Sequence, residues 1–148
     1  METEHFKILL ADDDEDDCMF FKEALDELSL PASLNTVNNG MELMNFLETH
    51  STNLPHMLFL DLNMPRKTGF DCLSEIKRDE RLKQLPVIIY STSSNPEVMD
   101  WLYHGGAHHY IRKPADFASL KSVINKAIVL CRQHRILQPP KDKFVINP

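Results

Sequence analysis

The sequence predicts an α/β protein in which helices cover both faces of a parallel β-sheet. Three apolar runs, at 8–11, 57–60 and 87–90, are nearly unbroken, which is typical of strands that are buried on both sides. Segments with helical spacing of apolar residues alternate with the strands, and such alternation favours parallel pairing. The length of 148 residues fits one domain of ordinary size.

Each predicted strand is followed by a predicted helix. The strands cover 6–11, 33–38, 57–61, 87–91 and 109–113. The helices cover 16–29, 41–49, 70–78, 96–106 and 115–135. In the first helix, Cys18, Phe21 and Leu25 recur at the spacing of one buried face. The fourth helix has Asn95 as a candidate N-cap and Pro96 at its first position, which is where a proline is tolerated best.

The end of the chain has a different character. Two prolines, Pro139 and Pro140, break the last helix, and 144–146 predicts a short extended piece. We therefore expect one domain over 1–135, followed by a C-terminal extension over 136–148 and no output domain. The apolar residues of the extension either fold back on their own domain or cover a second copy. The second alternative predicts a homodimer whose interface includes the fifth helix or the extension, with two-fold symmetry.

Charge and cysteine usage exclude several classes of protein. A formal net charge of -6 argues against a general binder of nucleic acids or anionic membranes, because the long-range field has the wrong sign. The three cysteines are far apart and form no CxxC motif, which is typical of a reduced chain without disulfides or a zinc ribbon. The N-terminus lacks a signal-peptide pattern, and no apolar run approaches membrane-spanning length. We expect a cytoplasmic protein.

Polar side chains follow four of the predicted strands. Asp12 and Asp13 follow the first strand, and Asp61, Ser91 and Lys113 are the last residues of the third, fourth and fifth. Ligands of open parallel sheets bind beyond the carboxyl ends of the strands. Each of these residues alone is more simply a cap, a turn residue or a solvated side chain. Because all of them stand at the same end of a strand, the joint pattern favours a site.

A divalent cation would resolve the repulsion within this group of acids. Neighbouring carboxylates raise one another's pKa, and Mg²⁺ prefers hard oxygen ligands and commonly joins carboxylates to a phosphate. We therefore expect Asp12 and Asp13 to serve a Mg²⁺ site. The next four acids, 14–17, are expected mostly to form the first turn of the following helix, where negative charge is favourable.

Four motifs resemble the receiver domains of two-component response regulators. They are ILLADDD at 8–14, MLFLDLNMPRKTGFDCL at 57–73, LPVIIYSTS at 85–93 and GAHHYIRKP at 106–114. The resemblance spans about 6–134 and implies a flavodoxin-like (βα)5 fold with strand order 2-1-3-4-5. The segment STSSN and the expected lack of an output domain look most like stand-alone receivers that partner phytochrome-type histidine kinases.

The resemblance also implies the roles of the acids. Asp61 corresponds to the aspartate that accepts a phosphoryl group from a histidine kinase or a phosphotransfer protein. Asp13 corresponds to the residue that contacts the metal directly, and Asp12 to the one that often acts through water. Asn63 would offer its backbone carbonyl to the metal. Such a protein catalyses only its own phosphoryl transfer and dephosphorylation.

Other roles implied by the resemblance concern the phosphoryl group and the response to it. Ser91 and Lys113 correspond to the residues that bind phosphoryl oxygens. Ser91 and Tyr110 form the switch, since the orientation of the aromatic ring reports phosphorylation. Lys113–Pro114 corresponds to a cis peptide in the family, and proline lowers the free energy of the cis form relative to other residues.

Four alternatives are weighed against this interpretation. A phosphatase of the haloacid-dehalogenase type needs a second aspartate where Asn63 stands. Flavodoxin needs a phosphate-binding loop after the first strand, whereas this loop is acidic. A metal sensor would use His104, His108 and His109, although adjacent histidines on a strand point to opposite faces. A receiver-like interaction module that is not phosphorylated is the main rival.

Overall fold

A five-stranded parallel sheet forms the centre of the computed structural model, which describes residues 5–134 and 137–148. The strands are β1 (Phe6–Ala11), β2 (Ala32–Val37), β3 (Met57–Leu60), β4 (Val87–Ser91) and β5 (His109–Arg112). The helices are α1 (Glu15–Glu27), α2 (Gly40–Thr49), α3 (Gly69–Arg78), α4 (Pro96–His104) and α5 (Phe117–His134), followed by a 3-10 turn at Lys141–Lys143. The strand order is β2-β1-β3-β4-β5, which confirms the predicted flavodoxin-like fold.

Helix boundaries follow local capping rather than apolar periodicity alone. α1 begins one residue earlier than predicted, because the side chain of Asp14 accepts hydrogen bonds from the backbone N–H groups of Asp16 and Asp17. α4 ends two residues earlier than predicted, at His104, since Gly105 caps it and Gly106 has a positive φ of 100°. The predicted last residue of α5, at 135, lies outside the described part of the chain.

Two apolar layers flank the sheet. On one face, Phe21 of α1 packs edge-on against Phe59 and Tyr90, with ring centroids 4.8 and 5.7 Å apart. α5 adds Val123 and Ile124 to the same layer. The other face is covered by α2, α3 and α4, whose buried side chains include Leu43, Ile76 and Leu102. Burial on both faces explains why the central strands are apolar throughout.

α3 begins very close to the end of β3. A Cβ atom on Gly69 would lie 2.3 Å from the carbonyl oxygen of Asp61, so only glycine allows this approach. The side chain of Thr68 caps the helix by accepting from the backbone N–H of Asp71. The loop that follows Asp61 is thereby held against the edge of the sheet.

The extension folds back on its own domain. The backbone of Tyr110 in β5 donates to the carbonyl of Phe144 at 3.0 Å and accepts from the backbone N–H of Ile146 at 2.9 Å. Val145, between them, forms an isolated parallel bridge with Tyr110, which confirms the predicted short extended piece. Phe144 and Ile146 are buried. The structure therefore supports the fold-back alternative for these residues, whereas residue 136 lies outside the described chain.

Side chains of the domain also hold the extension. Tyr103 of α4 donates its hydroxyl to the carbonyl of Pro139 at 2.8 Å. Gln138 donates to the carbonyl of Ala107 at 2.8 Å, and Lys126 of α5 donates to the carbonyl of Pro148 at 2.7 Å. An ion pair joins Lys141 to Asp100. The extension is thus bound to α4, β5 and α5 together.

Replacing Phe144 with Ala is expected to lower the free energy of unfolding by about 3 kcal/mol, as is usual for truncating a buried phenylalanine. The ring is 2% exposed and lies 5.2 Å from the ring of Tyr103 and 6.3 Å from that of Tyr110. Urea unfolding measures the change. The matched control is Val145→Ala, because Val145 is exposed and should lose about 0.5 kcal/mol or less. Equal losses would mean that the extension does not pack as described.

Candidate functional site

The carboxylates of Asp12 and Asp61 lie side by side at the edge of the sheet. Ala11 of β1 pairs with Leu60 of β3, so the residue that follows each strand reaches the same edge. The backbone N–H of Asp61 donates to the carbonyl of Ala11 at 2.9 Å, which continues the pairing past the strand end. Both aspartates are buried, although each carries a carboxylate.

Asp13 completes a cluster of three acids. One carboxylate oxygen from each of Asp12, Asp13 and Asp61 lies within 4.8 Å of the others. Asp12 is fixed by the backbone N–H of Asp14, which donates to its Oδ1 at 3.0 Å. Asp13, in contrast, is exposed. The cluster is therefore open to solvent on the side of Asp13.

Lys113 is the cation of the site. Its Nζ lies 2.9 Å from Asp12 Oδ2, 2.8 Å from Asp17 Oδ2 and 3.5 Å from Asp61 Oδ2. The lysine follows β5, and its backbone N–H donates to the carbonyl of Ser91 at 2.8 Å. Three carboxylates, one after β1, one in α1 and one after β3, therefore share one ammonium group.

Burial dominates the electrostatics of this cluster. Burial raises the pKa of Asp61 to about 6, with a smaller rise from the charge of Asp12 and an opposing contribution from Lys113. The pKa of Asp12 is also raised, chiefly by burial. For Lys113, burial favours the neutral form, but the hydrogen bonds that its ammonium group donates to Asp17 and Asp12 raise its pKa above the usual value. Lys113 therefore stays charged, but its single positive charge is not enough to neutralise the buried carboxylates of Asp12 and Asp61.

The donor set fits a divalent cation. The three converging carboxylates of Asp12, Asp13 and Asp61 offer hard oxygen ligands, which magnesium and manganese prefer. A cation would also supply the positive charge that one lysine cannot provide for two buried acids. The exposure of Asp13 leaves room for coordinated water.

The hydroxyl of Ser91 and the side chain of Tyr110 share one partner in the loop that follows β4. Ser91, at the end of β4, is fully buried, and its Oγ accepts from the backbone N–H of Ser93 at 3.2 Å. Tyr110 is also fully buried, and its hydroxyl donates to the carbonyl of Ser93 at 2.6 Å. Both side chains therefore hold the same residue of the β4–α4 loop.

Comparison with known proteins identifies the family. The response regulator receiver domain, as a family, matches residues 8–125. This chain belongs to that family. It is 31% identical over 124 residues to the probable methanogenesis regulatory protein FilR2 of Methanothrix harundinacea, covering 82% of this chain and 80% of that protein.

Two solved structures extend the likeness to phytochrome response regulators. The phosphorylated cyanobacterial phytochrome response regulator RcpA is 35% identical, with a TM-score of 0.77 and coverage of 93% of this chain and all of that one. The Mn²⁺-bound form of response regulator Rcp1 is 27% identical, with a TM-score of 0.74 and coverage of 91% and 99%. The chain is thus a response regulator receiver that is similar to stand-alone receivers of phytochrome systems.

One expectation from the family is wrong for this receiver. The described residues contain no cis peptide bond, so Lys113–Pro114 is trans. The trans form is favoured by about 0.5–1 kcal/mol even before proline. In this form the backbone of Lys113 bonds to Ser91, and its ammonium group reaches Asp12. Both of these contacts form with the trans bond.

Asp17 is the member of the site that sequence reasoning missed. Asp17 lies in the first turn of α1, as the sequence predicts, but its carboxylate also pairs with Lys113. The signal was its position four residues before Phe21, which is fully buried. On a helix this spacing puts both side chains on the same face, toward the sheet.

The histidine cluster considered for a metal sensor does not form. In the chain as described, Asp12, Asp13 and Asp61 are the only set of three or more side chains that could share a metal ion. His108 accepts from the backbone N–H of Val87, and His109 bonds to the carbonyl of Phe144, whereas His104 is exposed on α4.

Among the described helices, none is long and apolar enough to cross a bilayer.

Proposed function

We propose that this receiver accepts a phosphoryl group on Asp61 and uses it as a signal. The observation that carries the proposal is the buried carboxylate of Asp61, which lies beside an acidic pair and 3.5 Å from the ammonium group of Lys113. The donor is a phosphohistidine on a histidine kinase or a phosphotransfer protein. Apart from this transfer and the later hydrolysis of its product, the receiver catalyses no reaction.

The transfer follows from what each side chain can do. A carboxylate oxygen of Asp61 attacks phosphorus as the P–N bond to the donor histidine breaks, and the product is an acyl phosphate. Lys113 neutralises charge on the transferring oxygens, and the hydroxyl of Ser91 donates to one of them. Water attacking the same phosphorus later releases phosphate and restores the carboxylate of Asp61.

The proposed metal is Mg²⁺, held by Asp12, Asp13, Asp61 and the backbone carbonyl of Asn63. The converging carboxylates support this assignment, and so does the similarity to the Mn²⁺-bound form of Rcp1. When bound, Mg²⁺ would neutralise part of the charge on the phosphoryl oxygens. Asp12, which is fixed by the backbone of Asp14, and Asp61 would orient the ion from the buried side.

The proposed switch consists of Ser91 and Tyr110. If Ser91 turns toward a phosphoryl oxygen, it releases the backbone N–H of Ser93, whose carbonyl accepts from Tyr110. The backbone of Tyr110 also holds the extension through Phe144 and Ile146. A change at Ser93 is therefore coupled to the surface formed by α4, β5, α5 and the extension.

The proposed donor is a phytochrome-type histidine kinase, which is supported by the likeness to RcpA. The test is transfer of radiolabel from autophosphorylated kinases of several input classes to the receiver. We expect the fastest transfer from a phytochrome-type kinase and no transfer in excess chelator. Equally slow transfer from every kinase would contradict this choice of partner.

The proposed location is the cytoplasm. The three cysteines are free thiols, which agrees with this location.

We also propose that 1–135 form the receiver domain and that 136–148 help it to form a homodimer. A groove of about 950 Å³ lies between α5 and the extension, and the exposed apolar side chains Val129, Leu137 and Val145 line it. Sedimentation with and without beryllofluoride should show dimers that Leu137→Asp abolishes. The control is Met41→Asp, an exposed site on α2. Monomers under all conditions would contradict the proposal.

A further inference from the structure

We infer that Asp17 is a positioning residue that holds Lys113 in the unphosphorylated receiver and competes with the phosphoryl group for it. The inference rests on the proposed function, since it concerns the same lysine. It assigns a role to a residue of α1 that is not among the acids expected to bind metal or phosphate.

The distances show which partner Lys113 prefers in this state. Its Nζ is 2.8 Å from Asp17 and 3.5 Å from Asp61. A short contact with Asp17 keeps the ammonium group from forming an equally short contact with the acceptor. The carboxylate of Asp61 therefore has the longer, weaker contact with Lys113, and Asp17 has the shorter one.

Of its contacts with Asp12 and Asp17, Lys113 can exchange the one with Asp17 more easily for a contact with a phosphoryl oxygen. Lys113 is a single positive charge among four carboxylates, and a phosphoryl group on Asp61 would add a charge of about -2. Asp12 cannot move away easily, because it is fully buried and bonded to the backbone of Asp14. The side chain of Asp17 is 34% exposed, so water can solvate its carboxylate once Lys113 leaves.

The carboxylate of Asp17 is not needed to start α1. The helix is capped by Asp14, whose Oδ1 accepts from the backbone N–H groups of Asp16 and Asp17. Asp17 therefore bonds to the cap through its backbone, while its side chain is directed to Lys113. Its competition for Lys113 should weaken binding of a phosphoryl group at Asp61.

The test compares Asp17→Asn with Asp16→Asn at saturating Mg²⁺. Asp16 carries the same charge in the same helical turn, but it is exposed and has no cationic partner within the described chain. Beryllofluoride, a phosphoryl mimic, should bind about 5-fold more tightly to Asp17→Asn, since a partly exposed ion pair contributes about 1 kcal/mol. Asp16→Asn should change the affinity less than 2-fold by the same reasoning. Asp17→Glu should restore affinity close to that of the wild type.

The same substitution in the Lys113→Met variant shows whether Asp17 acts by positioning Lys113 or by a general effect of its charge. In Lys113→Met, removing the carboxylate of Asp17 should no longer tighten beryllofluoride binding, because the lysine through which it acts is gone. If Asp17 had only a structural role, Asp17→Asn would shift the urea midpoint, and its effect on beryllofluoride affinity would be the same with and without Lys113. If Asp17→Asn folds poorly, Asp17→Ser makes the same comparison.

The outcomes distinguish this inference from the proposed function. If the wild type neither binds beryllofluoride nor accepts phosphate from acetyl phosphate, the proposed function fails. If the wild type does both, but Asp17→Asn binds no more tightly than Asp16→Asn, only the role of Asp17 is overturned. Persistence of the full effect in Lys113→Met would overturn it as well.

Discussion

Replacing Asp61 with Asn is expected to reduce labelling by acetyl phosphate to background, because an amide oxygen is a poor nucleophile and Asn cannot form the acyl phosphate. The fold should survive, since Asn has nearly the same shape. Burial raises the pKa of Asp61 to about 6, so removal of this charge should raise the free energy of unfolding of the metal-free protein at pH 7 by about 3 kcal/mol. Radiolabel incorporation and urea unfolding measure the two effects.

The control for this variant is Asp71→Asn. Asp71 is an exposed acid in the first turn of α3, and the cap there uses its backbone rather than its carboxylate. Its replacement should leave labelling unchanged. Labelling of Asp61→Asn at the rate of the wild type would mean that another residue accepts the phosphoryl group.

Mg²⁺ is expected to stabilise the receiver, most strongly above pH 6. An acid whose folded pKa is raised keeps its proton when the unfolded chain has already lost it. Stability of the metal-free protein should therefore fall as pH rises from about 4 to about 6, through the raised pKa of Asp61. A cation that binds only the folded state at 100 times its Kd adds about 2.7 kcal/mol. Thermal unfolding with Mg²⁺ or chelator, across this pH range, measures both.

Asp13→Ala provides the matched variant for the metal. It removes one exposed ligand and leaves the buried acids Asp12 and Asp61 in place. We expect affinity for Mg²⁺ to fall about 10-fold or more, within the range in which ligand number sets affinity. In Asp61→Asn the fall in stability between pH 4 and 6 should be smaller, because the raised pKa of Asp61 no longer contributes to it. Unchanged affinity in Asp13→Ala would place the ion elsewhere.

Much of the site follows from the topology of the sheet. In a parallel sheet the carboxyl ends of the strands share one edge, so residues that follow β1, β3 and β5 meet there. Asp12, Asp61 and Lys113 are brought together in this way, and the sequence placed each at a strand end. All five strand positions agree with the prediction within one residue, and the central strands β1, β3 and β4 are the clearest in the sequence because both of their faces are buried.

Other contacts depend on side-chain geometry that periodicity does not determine. The spacing from Phe21 puts Asp17 on the buried face of α1, but it does not show which partner the carboxylate contacts; the packing of α1 against the sheet brings it to Lys113. The apolar residues of the extension suited two surfaces equally, and pairing of Phe144 and Ile146 with the backbone of Tyr110 decides between them. The isomer at Pro114 rests on a free-energy difference too small to be inferred from a motif.

The most direct test of the account identifies the phosphorylated residue. After incubation with acetyl phosphate and Mg²⁺, borohydride reduces an aspartyl phosphate to homoserine, which peptide mass spectrometry locates. The account predicts homoserine at Asp61 alone, and none when a chelator replaces Mg²⁺. Homoserine at another acid of the cluster, or an unmodified Asp61 in protein that binds Mg²⁺ normally, would contradict it.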